Sequence, residues 1–385
     1  MTQILVSLKR WENKLIFFCI LGLGLVTIIA KYRYNGLVFG FDYGLYQPDG
    51  KYYTYMALDI INQNPNESAQ QVVDWYKAKS YKGNIFTTLD LLPETSPIYS
   101  FVSHRVLYPL LSAPFVFAFG IPGMLVVPAL SFLILLTIIY KISLRYNVIY
   151  LGLIICIILT SSPTVSRWMI VNTTDSLLVG LFSLTVYILS NPKFAAKSIY
   201  VYILVLVFLT AATRFSFIFW LSIAIVLFLN RKKILAVAIV FFASICSIPA
   251  LSATLKVSLL PDQVDKSNFE KVLGLPESFV KVLSIDIAQL MVLDRLLLIL
   301  LGIGLFLAVI TLQNLPSQYL ISMMLAGYTL GAINGTLGVN LRYQMPIIPF
   351  CAWAAISSVS VIKSGSYSVP FLRTHVKTQE TQEQL

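Results

Sequence analysis

Charge is scarce in this chain. Only 12% of its 385 residues are Asp, Glu, Lys or Arg, about half the share that covers the water-facing surface of a soluble domain. With a mean hydropathy of +0.80, lipid is the solvent that fits. Histidine is scarcer still, with His104 and His375 the only two, which excludes the common His-rich metal centres. The four cysteines, Cys19, Cys156, Cys246 and Cys351, lie in apolar stretches without metal-ligand spacing. They read as small packing residues and leave the redox compartment open. Also missing are a P-loop, a dinucleotide fingerprint, an HExxH helix and a Ser-His-Asp arrangement, so soluble nucleotide chemistry and metalloproteolysis have no support. No internal repeat is visible, which counts against transporter folds built from duplicated halves.

What is present is apolar sequence in long runs. Leu15 to Ala30 follows Lys9, Arg10 and Lys14 but has no small-residue cleavage pattern before Lys31, so it reads as a retained first helix rather than a signal peptide. Further runs cover Val106 to Tyr140 (interrupted at Gly120, Pro122 and Gly123), Val148 to Thr160, Leu177 to Leu189, Ile199 to Thr213, Phe215 to Asn230 and Ile234 to Leu251. Three more span Arg295 to Leu312, Gln318 to Val339 and Tyr343 to Ile362. The expectation is an all-α, polytopic transmembrane bundle over 1–363 with about ten crossings, followed by a polar cytoplasmic tail over 364–385.

The net charge of +11 is not a nucleic-acid footprint here, because the basic residues sit in short segments between apolar runs, as topology signals do. With the N-terminus inside, the cytoplasmic segments hold Lys9, Arg10, Lys14, Lys141, Arg145, Lys193, Lys197, Arg231, Lys232, Lys233, Lys363, Arg373 and Lys377. That bookkeeping makes Val106 to Tyr140 cross once, with the piece before Gly120 juxtamembrane or re-entrant. It also leaves two large outer loops, 31–105 and 252–294. Loops of that length carry structure or function of their own. In the first, AQQVVDWYKAKSY (Ala69 to Tyr81) sets Val72, Trp75, Tyr76 and Lys79 on one face of a helix suited to the membrane surface.

The outer side collects the chemistry-bearing residues. Asp42, Asp49, Asp59, Asp74, Asp90 and Glu94 lie in the first loop, His104 and Arg105 at its end, and Arg167, Asp175, Arg214 and Arg342 at later outer turns. Charges at helix mouths are costly unless they face protein or a wet cavity, so this set predicts one outward-facing polar cavity. Asp49-Gly50 is either an ordinary turn or a carboxylate able to take a proton from a hydroxyl. Arg105 either snorkels to lipid phosphate or grips a substrate phosphate. Asp175 either caps the helix that follows or belongs to the site. Arg214 and Arg342 have no acid near them in sequence, so they call for a distant ion pair or an anionic ligand. Three glycosylation triplets, at Asn66, Asn172 and Asn334, decide nothing, since the triplet is common by chance.

The stretches DGKYY (Asp49 to Tyr53), HRVLYPLL (His104 to Leu111) and TDSLL (Thr174 to Leu178) resemble motifs of the GT-C superfamily of membrane glycosyltransferases, as found in uncharacterised bacterial members. The likeness covers the N-terminal half; beyond Arg214 it is one of topology. It implies a GT-C-like bundle with juxtamembrane helices in the long first outer loop, located in the bacterial plasma membrane with both termini cytoplasmic. It also implies a polyprenyl-phosphate-linked sugar as donor, with membrane lipids as the other partners and neither nucleic acid nor a protein partner. Asp49 becomes the base, Asp175 a second acidic site residue, and Arg105 a phosphate contact flanked by His104, Tyr52 and Tyr53. Arg214 and Arg342 join them from topology. No metal ligands are assigned; since superfamily members differ in their need for a divalent cation, that cofactor stays open. The competing readings are a transporter or flippase, a polysaccharide polymerase acting on lipid-linked glycans, and a membrane scaffold without catalysis.

Overall fold

The computed structural model describes residues 2–39, 49–78, 86–93, 95, 96, 99, 102–191, 197–258, 275–333, 342 and 344–364. Asp42, Lys79, Glu94, Asn334, His375 and the tail beyond 364 lie outside them. Among the described residues the chain is all-helical, with fifteen α-helices, two short 3-10 turns and no strand.

The helices are α1 (Thr2–Phe39), α2 (Gly50–Asn62), α3 (Pro65–Ala78), α4 (Leu107–Phe119), α5 (Val126–Arg145), α6 (Ile149–Ser161), α7 (Pro163–Met169) and α8 (Thr174–Leu189). They continue as α9 (Lys197–Ala211), α10 (Phe217–Leu229), α11 (Lys233–Ser258), α12 (Leu275–Leu293), α13 (Arg295–Ile310), α14 (Leu315–Ile333) and α15 (Ile347–Lys363). Among the described residues, three stretches are long and apolar enough to cross a membrane, Lys9–Arg33, Ile121–Arg145 and Lys233–Ser252, and the pair α6 and α7, bent by 75°, makes a fourth if taken as one span. Several further helices are apolar but shorter, α4, α8, α10, α13 and α15 among them.

The run from Val106 divides at Gly120, which ends α4 at φ +69, a left-handed conformation that glycine adopts without a Cβ penalty. The piece before it is 13 residues, about 20 Å of helix against a hydrocarbon core of about 30 Å. The piece after it is continuous through Arg145.

Side-chain contacts fix which helix ends lie together. The Tyr140 hydroxyl donates to the Asn13 carbonyl at 2.9 Å and Tyr150 to Glu12. Arg145 donates to Ser190 Oγ at 2.6 Å, and Ser360 to the Tyr146 carbonyl at 3.0 Å. Asn230 donates to Gln318 at 2.7 Å, and the hydroxyls of Thr311 and Ser358 lie 2.7 Å apart. One end of the bundle therefore gathers Lys9, Arg10, Lys14, Lys141, Arg145, Arg231, Lys232, Lys233 and Lys363. The opposite end holds the starts of α2, α4, α8, α10 and α15.

The loop regions carry more regular structure than their composition predicts. α3 is amphipathic as its pattern requires, but its apolar residues Val72, Val73 and Tyr76 are buried, packed toward α2 and the short turn Thr88–Asp90, with Tyr76 edge-on to Phe86. Protein, rather than a membrane surface, covers that face. In the second large loop, α12 packs on α14, with Phe279 against Tyr328. Asp294 then caps α13 through Leu297 N at 3.2 Å and also accepts from Thr164 N at 3.1 Å and from Ser162 Oγ. One buried carboxylate thus satisfies the starts of both α7 and α13.

Candidate functional site

Five charged side chains from five separate parts of the chain meet at the end of the bundle opposite the basic residues. Asp49 is the N-cap of α2, yet its side chain makes no capping bond. Its Oδ2 instead takes Arg105 Nη1 at 3.4 Å and Arg342 Nη2 at 3.1 Å. Asp175, in the first turn of α8, takes Arg342 Nε on Oδ2 at 2.8 Å and Arg214 Nη1 on Oδ1. Arg342 therefore bridges the two carboxylates. Asp49 does stand in a turn, with Tyr52 N on its carbonyl at 3.1 Å, and its side chain joins ion pairs as well; Asp175, in the first turn of α8, is paired with two arginines. Arg214 and Arg342 find distant acids, as one of the two readings required.

Local sequence sets each member. Arg214 sits in the turn between α9 and α10, where Trp220 Nε1 donates to Thr210 Oγ1 at 2.6 Å and Arg214 N to the Thr210 carbonyl at 2.9 Å. Arg105 precedes α4, whose start is tied to the end of α9 by Leu107 N on the Ala212 carbonyl at 3.1 Å; Pro109 falls in the first turn of α4, where its missing N–H costs nothing. Arg342 lies over the Trp168 ring, 5.3 Å from its centroid, a cation–π contact that fixes the guanidinium plane.

Burial grades across the cluster. The Asp175 side chain is 2% exposed and Arg214 8%, whereas Arg342 is 17% and Asp49 27% exposed. Arg105 is buried and donates from Nη1 to the Tyr53 hydroxyl at 2.7 Å. Burial alone would raise the Asp49 carboxyl, but Arg342 and Arg105, with Arg214 behind them, outweigh it and hold the group below the ordinary carboxylate value. Asp49 is thus ionised at neutral pH. Three arginines against two aspartates leave one positive charge over, in a site that is sealed at Asp175 and Arg214 and open at Asp49, where a partly buried charge acts more strongly than at the surface.

Tyr53 joins the cluster, edge-on to Tyr108 at 5.5 Å between centroids. Tyr52 is buried in α2 with Lys51 over its ring; burial raises its phenol, and the charges of Asp90 and Asp49 add to that. His104 is half-buried; burial and then the Arg105 charge lower its imidazole to about 4, so it is neutral at physiological pH and supplies no charge to an anion. Arg167 is exposed and stacks beside Trp168. Asp59, Asp74 and Asp90 stand on α2, α3 and the short turn, apart from the five.

One residue of the arrangement escaped the sequence reading as anything but a chance glycosylation triplet. Asn172 is fully buried, out of reach of a glycosylating enzyme in the folded chain. Its Nδ2 donates to the Gly50 carbonyl and to Thr54 Oγ1, both at 3.1 Å, and its Oδ1 lies 2.8 Å from the Tyr108 hydroxyl. The first turn of α2, which carries Asp49, is latched by this amide to α4 and to the approach of α8. The only sequence signal was its position three residues before Asp175.

No group of three or more His, Cys, Asp or Glu side chains suited to a metal occurs among the described residues. Both carboxylates of the cluster are instead committed to guanidinium groups, a donor set that suits an anion better than a dication. Two apolar grooves flank α10. One, of about 670 Å³, lies toward α11, and one of about 490 Å³, reaching from Ile218 to Asn230, lies toward α14. Compared with known protein families, curated proteins and solved structures, the chain matches none.

Proposed function

We propose that this chain is a membrane glycosyltransferase of the GT-C kind, moving a sugar from a polyprenyl-phosphate donor to a glycan, lipid or protein acceptor on the outer side of a bacterial plasma membrane. The observation that carries the proposal is the meeting of Asp49 and Asp175 with Arg105, Arg214 and Arg342 at one end of an apolar bundle. Ten helices, α1, α5, α6, α8, α9, α10, α11, α13, α14 and α15, cross the bilayer in this reading. The shorter ones are accommodated by their flanking turns and local thinning of the lipid. The basic end is cytoplasmic by the positive-inside rule, which places both termini inside and the cluster outside.

In the reaction, an acceptor hydroxyl oxygen attacks the anomeric carbon while the bond from that carbon to the donor phosphate oxygen breaks. Asp49, the carboxylate nearest to solvent, takes the hydroxyl proton. Arg105 and Arg342 hold the departing polyprenyl phosphate and stabilise its growing charge. Asp175, buried and doubly paired, orients Arg214 and Arg342. The groove beside α10, which opens at Ile218 four positions after Arg214, suits the isoprenoid tail. A transporter or flippase would place its ionised residues near the bilayer midplane; here they share one end of the helices.

The test is transfer of sugar from a polyprenyl-phosphate donor by the reconstituted chain. Asp49→Asn should lose about 10²–10⁴-fold in rate, and a folded variant that transfers at the native rate would reject the role given to Asp49. Cysteine labelling that put positions 49 and 342 on opposite membrane faces would sink the shared site.

A further inference from the structure

The two aspartates share Arg342 unequally. Asp175 holds it at 2.8 Å with Arg214 on its other oxygen, out of solvent. Asp49 holds Arg342 at 3.1 Å and Arg105 at 3.4 Å, both through the single oxygen Oδ2, at the wet edge of the cluster. Its carboxylate does not cap α2, so Arg105 and Arg342 are what keep it in place. The converse does not hold. Arg105 is also anchored on the Tyr53 hydroxyl at 2.7 Å, and Arg342 on Asp175 and over Trp168. If the Asp49 carboxylate moved aside, both guanidiniums would stay and present the same N–H groups to another oxyanion.

We infer that Asp49 and a phosphate headgroup compete for one seat, the N–H groups of Arg105 and Arg342, so that a phosphate entering the cluster expels the Asp49 carboxylate from it. The inference rests on the reading of the cluster as a phosphate site and adds its regulation. Asp49 is locked in ion pairs until a phosphate takes its partners, and only then faces an acceptor as a free carboxylate.

The competition is measurable by titrating farnesyl phosphate, a short prenyl monophosphate, onto the full chain in nanodiscs by calorimetry. Asp49→Asn keeps the shape and removes the competing charge, so it should bind farnesyl phosphate at least about tenfold more tightly than the native chain, because the seat is no longer shared with an internal anion. Asp49→Glu, which restores the competitor, should bind like the native chain. Farnesol, with the tail and no phosphate, should show no difference between variants. Inorganic phosphate separates the sources: a gain with farnesyl phosphate alone means a lipid headgroup, and a gain with both means a seat for phosphate of either origin. Asp49→Asn binding farnesyl phosphate equally or more weakly would overturn the inference.

A second measurement uses the native chain. Carbodiimide labelling of Asp49 should rise when farnesyl phosphate is added, and a fall would again overturn competition. Failure here is distinct from failure of the glycosyltransferase reading. Unchanged affinity with lost transfer in Asp49→Asn rejects the competition and keeps the base. Tighter binding with native transfer keeps the competition and rejects the base.

Discussion

Asp49 and Arg342 stand 293 positions apart in the chain and 3.1 Å apart in the molecule. The same guanidinium reaches Asp175 with its Nε at 2.8 Å, so one arginine ties the start of α2, the start of α8 and the approach to α15 together. Arginine suits this bridge because its planar fork offers donors in two directions at once, which a lysine ammonium on a flexible stem does not. Arg342→Lys should therefore keep the charge and lose the bridge. Sugar transfer should fall by an order of magnitude or more, with the chain still folded by its thermal unfolding profile.

The buried half of the cluster should show up in stability. Arg214→Gln leaves the buried Asp175 carboxylate with Arg342 as its remaining partner, and removing one partner from a buried pair costs up to about 3–5 kcal/mol. Adding Asp175→Asn removes the half-compensated charge and should recover part of that loss. A thermal-unfolding double-mutant cycle checks this; additive losses would mean that the two side chains do not interact.

Two pH windows follow from the shifts. For His104, burial and the Arg105 charge lower the imidazole from 6.5 to about 4, so between those values the unfolded chain binds a proton that the folded chain does not. Stability should fall as pH drops through that window, and His104→Gln should flatten it. Asp49 is held below its ordinary 3.8. Its contribution is fully present above that value and is lost as pH falls through the depressed one, and Asp49→Asn should remove this acid limb. Unfolding measured from pH 8 to 3 separates the two.

Asn172→Leu should damage the site without touching a charge. It leaves the Gly50 carbonyl, Thr54 and Tyr108 to find other partners, at about 1–3 kcal/mol, and frees the turn that carries Asp49. Transfer should drop while Asn172→Gln, with the same amide, recovers part of it. In the native chain, Asn172 should remain unglycosylated in any glycosylating host.

Packing between α13 and α15 gives a test remote from the site. A Cβ on Gly304 would meet Cys351 Sγ at 2.4 Å, and small residues let membrane helices approach this closely. Gly304→Ala should lower the unfolding temperature, and Cys351→Ala in the same chain should restore it by removing the sulfur.

Much of the helical layout was legible because apolar runs must pair every backbone polar group within themselves when lipid surrounds them. The break at Gly120, the start of α8 near Asp175 and the turn at Arg214 all followed from where those runs stop. The helices between the apolar runs were harder to read. α2 buries Tyr52, Tyr53 and Tyr55 and α12 packs on α14, so their patterns are set by neighbours distant in sequence. Tyr52 and His104 were grouped with the site because they adjoin its members in the chain, and the charges of Asp49 and Arg105 respectively act on them.

Hydropathy and charge are properties of each segment alone, so the order of residues was enough to expect an all-helical chain with helices apolar enough to cross a membrane. Folding was needed to show that Arg342 bridges Asp49 and Asp175, that Asn172 latches the turn carrying Asp49, and that Asp49 sits at the wet edge while Asp175 is sealed in. Those facts depend on how five separate parts of the chain are brought within about 3 Å of one another, a distance at which hydrogen-bond geometry rather than segment composition sets the outcome.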